Sequence, residues 1–282
     1  MIECYDIGGT WTRAAVFDEE GTIIARKKQS SNKDIEAVVR ELHKKLAVKS
    51  ERISIAVPGP VKNNILLSAP PLNIENKMNL RNLLKDLGKI YVHNDLKAAT
   101  EAELKYGIGK HCKNFYLLTL STGIGAGIVI NGKQIKEASC EFGHNILERD
   151  EYFRFNCGCG NQGCWASLTS GNGIKNLSRI LLGKEKSAKD VFALAESGDP
   201  RGKYIVKIVR SYNAQGLGMM INTFDVERIA VMGSLGLKQF DKVIPEKGEI
   251  ERFTVNPVPV IQPTQLGDNI CLLGSYLLAK KK

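Results

Sequence analysis

The stretch from Glu141 to Cys164 constrains this chain more than any other. It reads Glu-Phe-Gly-His at 141–144 and, twelve residues later, Cys157-Gly-Cys159-Gly-Asn-Gln-Gly-Cys164. His144, Cys157, Cys159 and Cys164 form a Cys3His set, which suits tetrahedral zinc and leaves no coordination position for water, so the metal is expected to be structural. Glycines at 158, 160 and 163 let the backbone turn tightly enough for three sulfurs to converge. The alternative is three free thiols, or a disulfide, in a glycine-rich loop. Clustered cysteines in a reducing compartment more often bind metal than form bridges. Zinc held this way would fix the loop and the adjacent Glu141, making the centre a scaffold for chemistry elsewhere.

The length, 282 residues, allows one large domain or two lobes. Met1 leads straight into a strand-like segment without a signal-peptide pattern, and no apolar run is long enough for a bilayer, so a cytoplasmic location and no membrane partner are expected. Cys4, Cys112, Cys140 and Cys271 are too unevenly placed for a disulfide framework and are expected in the core or in incidental positions. The net charge of +10 is scattered. Its only compact run, Lys280–Lys282, reads as a solvated end, and nucleic acid is not an expected partner.

Periodicity gives strands at Ile2–Asp6, Trp11–Phe17 and Thr22–Lys27, a helix over 34–47 with apolar positions at 35, 38, 39, 42 and 46, and a strand at Arg52–Val57 stopped by Pro58-Gly59-Pro60. A loop over 63–79, a helix over 79–87, a strand at Ile90–His93 and a helix over 96–106 follow. A second round opens with strands at Phe115–Leu120 and Ile128–Ile130 around a Gly-rich turn, Ser121–Gly127. Helices are expected near 168–182, 187–197, 200–223 and 267–280, with a strand at 228–232. The pattern is α/β with mixed sheets, and its two halves echo each other.

Asp6-Ile-Gly8-Gly9-Thr10 places a carboxylate at a strand end, then two residues without Cβ, then a hydroxyl. Such a turn lets backbone N–H groups approach phosphate, although an ordinary hairpin turn has the same look. Thr122, Gly123 and Gly125 form a second candidate. It is no Walker A loop, since no Lys follows, and no Rossmann fingerprint, since a strand comes next. Asp95, after Asn94 at a strand-to-helix junction, suits a general base for phosphoryl transfer and equally a helix N-cap. Gly233-Ser234 ends a late strand with small residues that a nucleotide can approach. His43, His93 and His111 are expected to be surface or packing residues.

These motifs, running through nearly the whole chain, resemble the ROK family of sugar kinases and regulators in the actin-like ATPase superfamily. The resemblance implies a two-lobed actin-like ATPase (ribonuclease H-like) fold with an interlobe cleft. The N-terminal lobe would be 1–110 joined by the C-terminal helix 267–282, and the second lobe 111–266. It implies ATP with Mg²⁺, structural Zn²⁺, a sugar substrate and a homodimer. Asp95 would take the proton of the sugar's primary hydroxyl. Asn94, Glu141 and His144 would bind sugar hydroxyls, with Asn73 a further contact.

Three positions depart from the family pattern. Ala166 stands where a sugar-contacting Glu is usual, Ser234 replaces the second Gly of a Gly-Gly pair, and Lys136–Cys140 lacks the usual glycines. The expected activity is glucokinase-like 6-phosphorylation of a hexose. The alternatives are an N-acetylmannosamine or N-acetylglucosamine kinase, a non-catalytic sugar-binding member, and a sugar-responsive regulator. The last is disfavoured because the first phosphate turn starts at residue 6, leaving no room for a helix-turn-helix arm.

Overall fold

β1 (Ile2–Ile7) is buried along its whole length, as a strand covered on both faces must be. The computed structural model describes residues 1–32, 34–48, 50–135, 141–148 and 150–281, and the chain divides into two compact units, Met1–Lys110 with Leu266–Lys282, and His111–Gln265.

In the first unit β2 (Trp11–Phe17) runs antiparallel to β1, and β3 (Ile23–Ser30) antiparallel to β2 at the sheet edge. β3 is largely exposed and carries Arg26, Lys27 and Lys28, charges that discourage edge-to-edge pairing. α1 (Ile35–Leu46) is capped by Asp34, which accepts from Ala37 N at 3.0 Å, and buries the five apolar positions of its helical period. β4 (Arg52–Val57) adds parallel to β1. The expected loop after it contains a small hairpin, β5 (Val61–Lys62) and β6 (Ile65–Leu66), turned by Asn63 and Asn64 at positive φ, a conformation that Asn tolerates. α2 (Leu80–Leu83) is one turn, shorter than the expected 79–87. Arg40 takes the Leu83 carbonyl at 2.8 Å and the Asp86 carboxylate at 2.7 Å, so that carbonyl is engaged where a longer helix would use it. β7 (Lys89–Asn94) pairs parallel with β4 and leads into α3 (Asp95–Tyr106), giving the order β3-β2-β1-β4-β7.

The C-terminal helix, Ile270–Lys280, belongs to this unit and lies on α3, β1 and β4. Their approach is close: a Cβ built on Gly274 would sit 1.6 Å from the Ala98 carbonyl oxygen. Phe17 stacks on Tyr276 with centroids 4.9 Å apart, and Ser54 Oγ donates to Ser275 O at 2.9 Å. The basic tail is exposed where described, as expected of a solvated end, but its first two lysines also make contacts. Lys280 donates to Glu19 O at 2.6 Å and Lys281 pairs with Glu101; Lys282 lies outside the described residues. On the other face Glu3 is fully buried, held by the Tyr5 hydroxyl and by His43 Nδ1 at 2.9 Å.

The second unit repeats the sheet. β8 (Phe115–Leu120), β9 (Ile124–Ile130) and β10 (Lys133–Gln134) are antiparallel, and β11 (Arg228–Met232) and β12 (Val260–Pro263) add in parallel on the other side. The order β10-β9-β8-β11-β12 reproduces the sequence of strand directions in the first unit. β9 starts at Ile124 rather than 128, because Gly125 and Gly127 pair in register with Thr119 and Leu117. The single helix expected over 168–182 is two, α4 (Trp165–Thr169) and α5 (Gly171–Leu182). Ser170 breaks it with extended backbone and caps α5 through Gly173 N. α6 (Ala188–Glu196) and α7 (Pro200–Thr223) follow. Gly216 of α7 receives the buried Trp165 ring so closely that a Cβ there would lie 2.4 Å from it. Short helices α8 (Ser234–Lys238), α9 (Phe240–Val243) and α10 (Lys247–Ile250) complete the unit. Among the described residues no helix is long and apolar enough to cross a membrane.

Gly274→Ala is expected to lower unfolding stability by about 3 kcal/mol, because the backbone of α3 has nowhere to move. Gly248→Ala, a helical position facing open space, is expected to change it by less than about 1 kcal/mol. Urea unfolding of both variants measures the difference.

Candidate active site and metal centre

In the first unit Asp6 is buried at the end of β1, directly opposite Arg13 on β2. Arg13 Nη1 donates to Asp6 Oδ2 at 3.2 Å and Nη2 to Asp268 Oδ2 at 3.0 Å. Burial pushes the Asp6 carboxyl up to about 6, with the Arg13 charge pulling the other way. Cys271, buried in the C-terminal helix, donates its thiol to Asp95 O at 3.8 Å. Burial, and then the charges of Asp6 and Asp95, push that thiol well above its ordinary value. The fold therefore brings Asp6 and Asp95 to one thiol, and Cys271 is not incidental.

Between β1 and β2 the turn Gly8-Gly9-Thr10 has its Gly8 and Thr10 carbonyls engaged. Gly8 N donates to Trp11 O at 3.0 Å, and Ser31 engages Gly8 O and Thr10 O at 2.5 and 2.9 Å. Among the described residues the N–H groups of Gly9 and Thr10 have no acceptor. Gly9 faces Pro71 O, which a Cβ would meet at 3.2 Å.

Asn94 and Asp95 divide their work. Asn94 is the N-cap of α3: its Oδ1 accepts from Lys97 N and its Nδ2 donates to Gly59 O, both at 3.0 Å. Asp95 is the first helical residue, with Oδ1 accepting from Leu96 N at 2.8 Å. Capping, the alternative role for Asp95, is thus filled by its neighbour. Gly59 is at φ 100° and a Cβ there would lie 2.1 Å from Ser68 O, so only Gly fits. Asn73, left-handed at φ 54°, is exposed after the 3-10 turn Pro70–Leu72. It borders a groove of about 440 Å³ with Asn76, Asn79 and Asn82, and no described hydrogen bond joins it to Asn94 or Asp95.

In the second unit the turn after β8 is tighter than expected. Ser121 N donates to Gly123 O at 3.0 Å, and Ser121 O accepts from Gly171 N at 2.8 Å. Among the described residues the N–H groups of Thr122 and Gly123 have no acceptor, while Gly125 lies within β9. Gly233, at φ 90°, abuts this turn so closely that a Cβ would lie 2.4 Å from Leu120 O. Ser234 Oγ lies 3.2 Å from Ser121 Oγ, so the hydroxymethyl group is tied to the turn.

His144 closes the 3-10 turn Phe142–His144 with Nδ1 3.3 Å from Cys157 Sγ; Cys159 and Cys164 sulfurs are 3.7 Å apart. The four donor atoms all lie within 4.8 Å of one another. Tetrahedral zinc with Zn–S of about 2.3 Å sets its sulfurs about 3.8 Å apart, so the set fits a zinc ion and not a disulfide. Burial raises the Cys157 thiol and pushes Cys164 up to about 12. Burial also opposes ionisation of Cys159, but the Asn161 backbone N–H and the neighbouring sulfurs bring it below its ordinary value. Gly163, at φ 71°, would place a Cβ 1.9 Å from Glu148 O, and its carbonyl accepts from Leu147 N and Glu148 N. Trp165 anchors the loop to α7: Nε1 donates to Asn213 Oδ1 at 2.7 Å, and Asn213 Nδ2 to Val243 O at 2.7 Å.

The other imidazole nitrogen, Nε2, is 3.4 Å from Glu141 Oε2. Burial raises the Glu141 carboxyl, opposed by His144. Ala166 is buried in α4 and offers no polar side chain. Segment 136–140, with Cys140 and the missing glycines, lies outside the described residues.

Arg13, Asp268 and Ser31 were not singled out from the sequence. Arg13 was within reach: a tight turn at Gly8-Gly9-Thr10 makes 6 and 13 cross-strand partners. Asp268 and Ser31 arrive from distant segments and carried no local signal.

Two copies of one mixed five-stranded sheet, each with a glycine turn after its first strand, define an actin-like ATPase fold. The chain belongs to the ROK family, whose model matches residues 2–282. It is 29% identical to a glucokinase of Streptomyces coelicolor over 98% of this chain and 96% of the relative. It is 28% identical to an N-acetylmannosamine kinase of Escherichia coli over 82% of each. The structure superposes on a ROK family glucokinase from Streptomyces griseus, solved with glucose and AMPPNP, with a TM-score of 0.79 and 25% identity, covering 100% of this chain and 99% of that one.

Zinc analysis is expected to give about one ion per chain, and Cys164→Ser to lose the ion and at least about 3 kcal/mol of stability. The Asp6 carboxyl predicts a pH effect. Its folded value, about 6, lies above its ordinary 3.8, so the folded state holds the proton more tightly. Its contribution to stability is greatest below about pH 4 and is lost as pH rises through 6. In metal-free buffer Asp6→Asn is therefore expected to exceed the native protein in stability at pH 7, by up to about 3 kcal/mol, and to lose that advantage at pH 4. Denaturant unfolding at both values checks it.

Proposed function

We propose that this protein is an ATP-dependent kinase that phosphorylates the primary, 6-hydroxyl of a hexose in the manner of a glucokinase. The observation that carries the reading is the division of work at the start of α3. Asn94 supplies the cap, and Asp95 is held at the positive end of the helix dipole, which favours its anion. A carboxylate in that position suits deprotonation of a sugar hydroxyl as it attacks a phosphoryl group. The Gly9, Thr10, Thr122 and Gly123 N–H groups, which have no acceptor among the described residues, suit phosphate oxygens. Gly8 opens the first of these turns, Gly125 follows the second as part of β9, and Gly233 and Ser234 suit the nucleoside.

Asp6, raised by burial to about 6 and so largely ionised at neutral pH, is a buried carboxylate that a cation would stabilise. It would take the Mg²⁺ of the nucleotide, which supplies neutralisation of phosphate charge. Asn94, Glu141 and His144 would bind sugar hydroxyls, with Asn73 a weaker contact. Zinc would be held by His144 Nδ1 and the three sulfurs, leaving Nε2 for Glu141 and the sugar. The two compact units would act as lobes of one enzyme, which would work as a homodimer, a point that its mass in solution reads out.

Position 166 favours a second substrate within the same activity. The buried Ala166 offers no hydrogen-bond acceptor from its side chain, so the sugar keeps one fewer partner and a bulkier N-acetylated hexosamine becomes admissible.

The test is ADP release from Mg-ATP across glucose, mannose, N-acetylmannosamine and N-acetylglucosamine. Turnover on one sugar, reduced at least about 10²-fold in Asp95→Asn with sugar binding and unfolding midpoint retained, is the expected result. Full activity in that variant removes Asp95 from the role. Sugar binding without turnover on any of the four makes the protein a non-catalytic member of its family.

A further inference from the structure

We propose that Ser31, in the connection after β3, is a positioning residue that holds the Gly8-Gly9-Thr10 turn in its phosphate-accepting conformation. The inference rests on the phosphate-binding role given above to that turn.

A turn attracts an anion only while its carbonyl oxygens point away from it. Around Gly8–Trp11 three carbonyls are tied back, and Ser31 supplies two of the three donors. Its Oγ donates to Gly8 O at 2.5 Å and its N to Thr10 O at 2.9 Å; the third bond is Gly8 N to Trp11 O at 3.0 Å. The first of these has a direct consequence for Gly9. The peptide group is planar and trans, so Gly8 C=O and Gly9 N–H point in opposite directions as one rigid plate. Anchoring Gly8 O on Ser31 therefore turns Gly9 N–H the other way, where it has no acceptor among the described residues.

Glycines on both sides of that plate make a flip sterically easy, and a flip would present an oxygen to the phosphate instead of a donor. The Ser31 hydroxyl is itself oriented. Thr12 Oγ1, on a fully buried residue, lies 3.0 Å from Ser31 Oγ and donates to it, leaving the Ser31 proton for Gly8 O. The chain Thr12 to Ser31 to Gly8 is a set of mutually polarising hydrogen bonds, and neither hydroxyl is itself assigned to touch substrate.

The experiment compares native protein, Ser31→Ala, Ser31→Thr and Thr12→Val, each as the full chain. It records KM for ATP, KM for the accepted sugar, affinity for adenosine by calorimetry, and unfolding midpoint. Ser31→Ala is expected to raise KM for ATP about three- to tenfold, the worth of one neutral hydrogen bond. Sugar KM and adenosine affinity should stay unchanged, since neither involves phosphate, and Ser31→Thr should restore the native value. If Ser31→Ala does not fold, Thr12→Val carries the test, with an expected rise of about two- to threefold. An unchanged KM for ATP, or a parallel loss for ATP, adenosine and sugar, overturns the proposal. Calorimetry on the native protein separates the two levels: no binding of Mg-ATP there would remove the phosphate-binding role itself, and Ser31's with it.

Discussion

The contact on which the first unit depends is the backbone approach of the C-terminal helix to α3 at Gly274. Nothing larger than hydrogen fits between Gly274 and Ala98 O. That helix also places Cys271 against Asp95 O and beside Asp6. One close approach thus sets the spacing between the carboxylate that ends β1 and the one that opens α3. The arrangement is non-local: Ser54 and Ser275, joined by a hydrogen bond, are 221 residues apart. Closing so long a loop is entropically costly and slow. The first unit therefore completes only after the chain has supplied its last helix, and Phe17 on Tyr276, Lys280 on Glu19 and Lys281 on Glu101 are what reward that closure.

Charge is distributed with the same economy. The +10 excess looks like a broad attraction for anions, yet Arg13 and Lys281, near the ends of their elements, are committed to Asp6, Asp268 and Glu101. The groups proposed above for phosphate are uncharged N–H donors of two turns. Such donors cost little to desolvate and are fixed by the fold, whereas a buried lysine would have to be paired or neutralised. Asp6 illustrates the cost of the opposite choice: even with Arg13 beside it, burial keeps its carboxyl near 6.

Much of this was legible in the chain itself. The order of strands and helices, the Cys3His set and the repeat of a glycine turn between two strands follow from periodicity, spacing and residue type. What was not legible depended on partners far away. The glycine run Ser121–Gly127 looks like one flexible turn, but registry with Thr119 and Leu117 draws Gly125 and Gly127 into β9. The helix 79–87 has adequate propensity, but Arg40 removes a carbonyl from it. The break at Ser170 is local and was missed because Ser caps and Ser in helix interiors look alike without the partner Gly173 N. The Lys280–Lys282 run is exposed where described, as its composition suggests, but its contacts with Glu19 and Glu101 come from distant segments and carry no local signal.

The Cys3His centre and the sugar reading meet in one imidazole. Its Nδ1 faces sulfur and its Nε2 faces the Glu141 carboxylate. A metal at Nδ1 would leave the proton on Nε2, so the ring would become a fixed donor toward Glu141 and toward the sugar hydroxyl proposed there. A zinc ion held there would do no chemistry itself and yet would decide the tautomer. A free imidazole would be able to rotate or exchange tautomers, and Glu141, whose carboxyl burial already favours the neutral form, would lose the donor that keeps it an acceptor. The three-residue spacing from Glu141 to His144 matters for this reason. One 3-10 turn carries both side chains, so ordering the ring through Cys157, Cys159 and Cys164 orders the carboxylate as well.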